Sequence, residues 1–209
     1  WGLTDIIEDM YRQLMFTYEP GDRIMVFGFS RGAFAARSLV GLIRATGVAD
    51  RAHLARLPEA MRRYISRDPA TKPSSDESHL FRSEIAPDTA TSPKEQAWRR
   101  VRGLPQGALV QIDYLGLWDT VKALGLPGFL PGARGFNRQY EFHDAKLDWM
   151  VRAARHAISI DEARATFPAM PWTNLAELNK GYGHFVPDYM QQWFPGVHGA
   201  VGGGGSRIG

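Results

Sequence analysis

Ser30 stands in Gly28-Phe29-Ser30-Arg31-Gly32, a G-x-S-x-G pattern of the kind that lifts a serine hydroxyl out at a sharp turn between a strand and a helix. A serine hydroxyl is a weak nucleophile until a base takes its proton. The pattern therefore calls for an orienting carboxylate and then a histidine further along the chain. Six histidines are available. His198, in Pro195-Gly196-Val197-His198-Gly199, follows the aromatic pair Trp193-Phe194 in a glycine-rich loop and is the candidate base. His156 falls in a helical pattern with Leu147, Met150, Val151 and Ala154 and reads as structural, while His53, His79, His143 and His184 have no strand behind them. Asp119 directly follows the apolar run 109–118 and is the candidate orienting acid, because such an acid belongs at the end of a strand. Asp161, after Ile158-Ser159-Ile160, is the alternative acid, and Asp113, inside the run, reads as a buried or edge residue.

These groups need a strand and a helix to hold them. Arg23-Ile24-Met25-Val26-Phe27 supplies an apolar strand before the serine, and the small-residue run 33–43 supplies the helix after it. Gly28 and Gly32 are expected to clear the way for the close crossing of the two elements, and the backbone N–H of Arg31 is the expected oxyanion-hole donor at the helix start. Leu3, Ile6, Ile7, Met10, Tyr11, Leu14 and Met15 recur at helical spacing, and Pro20-Gly21-Asp22 turns that helix into the serine strand. This helix-and-strand alternation predicts an α/β fold with a mostly parallel sheet and flanking helices. A second helical stripe, Leu54, Leu57, Met61, Tyr64 and Ile65, is interleaved with Arg51, Arg56, Arg62, Arg63 and Arg67. It reads as a surface helix over the core or, alternatively, as a cationic lid for an anionic lipid surface. Residues 68–97 are polar and without apolar periodicity, so they are expected as a loop or insertion, and Gly125–Gly132 as an apolar loop lining either a pocket or the core. The glycines at 202–205 lack the Gly-Lys-Ser/Thr ending of a phosphate loop, so a close backbone approach beside His198 is their expected role.

The composition narrows the class. A chain of 209 residues with 44% hydrophobic and 22% charged residues can bury a core as one domain. The net charge of +3 is too mild for a nucleic-acid footprint, and Arg99, Arg100 and Arg102 read as a solvated basic face. Without cysteine there is neither thiol catalysis nor a thiolate metal site. No apolar run is long enough to span a bilayer, so any membrane contact would be peripheral, and the compartment does not follow from the residues.

Four stretches recur together in a known family. They are Pro20-Gly21-Asp22 leading to Phe27-Gly28-Phe29-Ser30-Arg31-Gly32-Ala33; Gly116-Leu117-Trp118-Asp119-Thr120-Val121 with Gly125; His156-Ala157-Ile158-Ser159-Ile160-Asp161-Glu162; and Trp193-Phe194-Pro195-Gly196-Val197-His198 before Val201-Gly202-Gly203-Gly204. In this order, across residues 20–204, the chain resembles the α/β-hydrolase domains of the type VI secretion phospholipase effectors (Tle1-like) and their bacterial and fungal homologues. The resemblance implies a Ser30, Asp119 and His198 triad acting through an acyl-enzyme on carboxylic esters, with phospholipids as the best-known substrates and no metal or organic cofactor. It also implies first strands that this chain, opening at Trp1, is expected to lack, so that 1–209 is expected to be a single, partial hydrolase domain in which the second oxyanion donor, supplied in this fold by a loop after an earlier strand, has no evident source. A catalytically inert binding or scaffold module of the same fold is the alternative, and a metal-dependent hydrolase using Asp113, Asp119 and His198 is a third reading. Protein partners do not follow from the sequence.

Overall fold

The computed structural model of the chain describes residues 2–121, 146–164, 167–180 and 188–204. The chain is mixed α/β, with a parallel sheet and flanking helices, and divides into two compact units. The first comprises residues 1–23 and 38–111, the second residues 24–37 and 112–209.

The second unit carries the sheet. Strands β1 (Ile24–Phe29), β4 (Ile112–Trp118), β5 (Ala154–Ser159) and β6 (Tyr189–Phe194) lie in the order β1-β4-β5-β6, every pair parallel. Their registers match Phe29 with Trp118, Trp118 with Ala157, and Ser159 with Phe194, so the carboxyl ends of the strands form one row. Burial alternates along β1: Ile24 and Val26 point inward, while Met25, Phe27 and Phe29 stay exposed. Directly after β1, helix α2 (Arg31–Thr46) begins, and the buried residues of its first part are Ala33, Phe34, Ala35, Ala36 and Arg37. His156 belongs to β5, which corrects the helical expectation. The helical spacing of Leu147, Met150, Val151 and Ala154 arises because Val151 bridges to Ile112 just before the strand, and from Ala154 the buried residues follow a two-residue period through His156 and Ile158.

The first unit is mostly helical. Helix α1 (Leu3–Thr17) buries Ile7, Tyr11 and Met15 from the expected stripe. The Tyr11 hydroxyl donates to the Gly47 carbonyl at 3.0 Å and accepts from Thr46 Oγ1 at 3.0 Å and from the Ala49 N–H at 3.2 Å. Helix α3 (Leu57–Ile65) buries Leu57, Ala60, Met61 and Tyr64. Arg56, just before it, and Arg63 lie over the Phe81 ring at 4.8 and 4.6 Å, and Arg56 also pairs with Glu59 and Glu84. At least these two guanidiniums are held by the protein's own partners.

Residues 68–97, expected as a loop or insertion, contain helix α4 (Asp76–Ile85), strand β2 (Thr89–Ala90) and the start of helix α5 (Pro93–Val101); β2 pairs in parallel with β3 (Ala108–Leu109). Side-chain caps on backbone N–H groups start both helices, from Ser75 to Ser78 and from Ser92 to Glu95. Their interior is polar in composition yet buried. Arg82, Glu95 and Arg99 have no exposed side-chain surface, with Arg82 Nε 2.9 Å from Glu95 Oε2 and Arg99 Nη2 2.6 Å from Glu95 Oε1. Arg99 is therefore part of a buried ion network, a correction to the solvated basic face; Arg100 and Arg102 remain exposed.

Candidate active site

Ser30 sits between β1 and α2 with φ of +59°, a left-handed conformation that a non-glycine residue holds only when its surroundings impose it. Its N–H donates to the Trp118 carbonyl at 3.0 Å, fastening the turn to the neighbouring strand, and its own carbonyl accepts from Ala33 and Phe34 as the helix begins. A Cβ on Gly28 would stand 2.5 Å from the Gly32 carbonyl oxygen and 2.6 Å from Ala33 Cα, so only glycine permits the crossing there. Gly32 does not share that role. A Cβ on it would meet no described atom within 4 Å, because it faces outward on the first turn of α2. The Arg31 N–H is in the same first turn, where backbone donors have no carbonyl four residues back to bind.

Asp119, just past β4, has φ of +41° and is only 1% exposed. Its N–H donates to the Ala157 carbonyl at 2.7 Å. Its Oδ1 accepts the Ser159 N–H at 2.9 Å, and its Oδ2 accepts both the Ser159 hydroxyl at 2.6 Å and His198 Nδ1–H at 2.7 Å. The carboxylate can only accept, which puts the imidazole proton on Nδ1 and leaves the Nε2 lone pair for Ser30 Oγ, 2.7 Å away. His198 is 6% exposed and begins helix α7 (His198–Val201), preceded in the chain by α6 (Leu175–Leu178). The Phe29 ring stacks on its imidazole at 4.6 Å between centroids, and the Phe167 ring lies at 4.8 Å. A Cβ on Gly202 would overlap the Phe29 ring, so this glycine lets the histidine loop close onto β1.

The structure thus brings Ser30, His198 and Asp119 into one hydrogen-bonded line. Asp161 lies apart from it, accepting the Gly196 N–H at 2.6 Å. Asp113, the second residue of β4, lies beside Arg152 at 3.5 Å and is separated from Asp119 by most of the strand, roughly 20 Å, which removes it from any shared metal site. Among the described residues no cluster of three or more His, Asp or Glu could hold a metal ion, and no helix is long and apolar enough to cross a membrane. His53 lies in a 3-10 turn, Arg51–Arg56, and His79 is buried beside Trp98. His143, His184 and the Gly125–Gly132 loop lie outside the described residues. Sequence reasoning did not single out Ser159, Phe29 and Phe167 as neighbours of the line. Ser159, following Ile158 at a strand end, carried the clearest signal.

His156 supports the acid from behind. Its Nε2 accepts the Thr120 N–H at 3.2 Å and lies 3.1 Å from Thr120 Oγ1, and its ring meets the edge of Trp172 at 5.2 Å. Burial, reinforced by the positive charge of Arg37 and only partly offset by Asp119, pushes its pKa down from 6.5 to about 4. The unfolded chain takes up this proton near pH 6.5 and the folded chain only near pH 4. The neutral ring's contribution is thus complete above about pH 6.5 and is lost as the pH falls toward 4, on the order of 3 kcal/mol in all. Urea unfolding followed from pH 7 to pH 4 is expected to show this loss in the wild type and a flatter profile in His156→Gln, whose amide oxygen can still accept from Thr120.

A serine on a strained strand-to-helix turn, an acid at the end of the neighbouring strand and a histidine just after β6, over a parallel sheet with helices, define an α/β-hydrolase-like protein. The chain belongs to the family described as the type VI secretion system phospholipase effector Tle1-like catalytic domain, whose model matches residues 1–208. It is 28% identical over 180 residues to the uncharacterized protein YEL023C of Saccharomyces cerevisiae, covering 86% of this chain and 23% of that protein. It also resembles the crystal structure of an uncharacterized protein from Pseudomonas aeruginosa, with a TM-score of 0.37 and 19% identity, covering 92% of this chain and 21% of that one. The chain spans less than a quarter of the length of either.

Proposed function

We propose that this chain hydrolyses carboxylic esters of lipids, phospholipids foremost, with Ser30 as nucleophile, His198 as base and Asp119 as the group that orients the base. The observation that carries the reading is the line from Ser30 Oγ to His198 Nε2 and from His198 Nδ1 to Asp119 Oδ2, both steps 2.7 Å long. The family supports the lipid class of substrate. In the reaction, His198 Nε2 takes the Ser30 proton as Oγ bonds to the ester carbonyl carbon, and the Arg31 N–H faces the oxygen on which negative charge gathers. The imidazolium then gives that proton to the departing alcohol, leaving an acyl-serine. Water, deprotonated by His198, releases the fatty acid and restores Ser30. Asp119 holds the ring in the required tautomer and faces the positive charge that forms on it.

A fluorophosphonate probe tests the reading directly. The expected result is one phosphonyl adduct, mapped to Ser30, together with release of free fatty acid from phosphatidylcholine and phosphatidylglycerol vesicles by the unlabelled protein and none by the labelled one. Vesicle hydrolysis that survives complete labelling would refute the nucleophile, and a protein that neither labels nor hydrolyses would be the inert binding module instead.

A further inference from the structure

Two carboxylates just past the end of β5 hold the loop that carries His198. Asp161 Oδ2 accepts the Gly196 N–H at 2.6 Å, and the Asp161 N–H donates back to the Gly196 carbonyl at 3.3 Å. Glu162 Oε2 accepts the backbone N–H of His198 itself at 3.2 Å. Arg164 grips the same carboxylate from the solvent side, with Nε 2.7 Å from Oε1, Nη2 2.7 Å from Oε2 and its backbone N–H 2.8 Å from Oε1. The Arg164 guanidinium lies 4.1 Å over the Phe167 ring, and that ring is one of the two against the imidazole. His198 is therefore reached twice from one side chain, at its main chain directly and at its ring through Arg164 and Phe167. The Glu162 side chain is only 5% exposed while Arg164 is 55% exposed, so the carboxylate is turned inward on this task and the guanidinium covers it. The Arg164 hydrogen bonds, and a smaller contribution from the His198 N–H, bring the Glu162 carboxyl down to about 2, so the carboxylate stays charged across the working pH range.

We propose that Glu162 is a positioning residue for the base, setting where His198 Nε2 stands against Ser30 Oγ through the His198 N–H and through the Arg164–Phe167 pair. The proposal rests on the reading of Ser30, Asp119 and His198 as the reacting groups. It matters because proton transfer from a serine requires alignment that a displacement of about 1 Å can degrade by around 10²-fold. In this role Glu162 acts through His198 and not on the ester, so its loss should slow turnover and leave substrate binding alone.

Kinetics on a soluble short-acyl p-nitrophenyl ester, with the intact protein, provide the test. Glu162→Ala is expected to lower kcat by roughly 10- to 100-fold with KM within about twofold of wild type. Glu162→Gln is expected to recover much of the loss, since its amide oxygen can still accept the His198 N–H. The downfield proton resonance of His198 Nδ1–H supplies a readout independent of turnover, expected to broaden or vanish in Glu162→Ala and to persist in Glu162→Gln. A folded Glu162→Ala protein with wild-type kcat and an unaltered resonance overturns the proposal. Should that variant not fold, Glu162→Met, which keeps the length of the side chain and removes the acceptor for the His198 N–H and for Arg164, carries the same expectations and the same refutation. Full activity in a Ser30→Ala control would show that the triad reading is what failed, and the resonance then still decides the role of Glu162.

Discussion

Ser30→Ala is expected to lower ester hydrolysis by roughly 10⁴-fold or more while leaving the fold intact, because in the proposed reaction Oγ forms the covalent bond, and the main-chain fastening of the turn does not use it. The backbone N–H of Ser30, which binds the Trp118 carbonyl, survives the change. The stronger form of the expectation concerns pairs. In the proposed reaction every step that uses His198 lies on the path through the Ser30 acyl-enzyme, so Ser30→Ala with His198→Ala should be no slower than Ser30→Ala alone, the non-additivity of groups that work as one unit. Single-turnover rates on the three variants measure this. A double variant slower than Ser30→Ala by the full cost of the histidine would mean that the two side chains act independently, which the 2.7 Å contact between them argues against.

The largest structural effect is expected at Glu95. Its carboxylate receives Arg82, Arg99, the Thr91 N–H and the Thr91 hydroxyl, and although burial pushes its pKa up, these partners outweigh burial and hold it below the usual carboxylate range. Glu95→Ala would strand two guanidiniums with no exposed side-chain surface, and the expected loss is about 3–5 kcal/mol, read from urea or thermal unfolding. Replacing all three charged residues with apolar ones of similar volume should recover part of that loss, since the unpaired charges go with them. Recovery should be incomplete. Arg82 also donates to the Ala45 and Pro73 carbonyls, and Arg99 to those of Ala86, Pro87 and Pro105, and these acceptors would lose their partners. A loss below about 1 kcal/mol in Glu95→Ala would mean that the network contributes little net stability.

What could be read in the sequence was what is encoded locally. The apolar run, Gly28 and Ser30 mark the turn within a few residues, and Asp119 and His198 stand at the ends of comparably clear segments. The close crossing at Gly28 follows from the pattern, whereas Gly32 fits the same pattern without the steric need. Other features depend on partners distant along the chain. Arg99 looks solvated in a run of arginines because nothing beside it announces that Glu95 will be buried with it and with Arg82. The two helices within 68–97 lack an apolar stripe because charged pairs fill part of their interior. His156 is placed in β5 by pairing with β4 and β6, a tertiary choice that overrides the helical spacing around it.

The fastening of Ser30 to Trp118 and of Asp119 to Ala157 uses only amide and carbonyl groups. The relative placement of Ser30 and Asp119 is thus set by the lattice of the sheet rather than by their side chains. Met25, Phe27 and Trp118 stay exposed, and their side chains take no part in that fastening, so substitutions there should change what the surface meets and leave the spacing of the two turns in place.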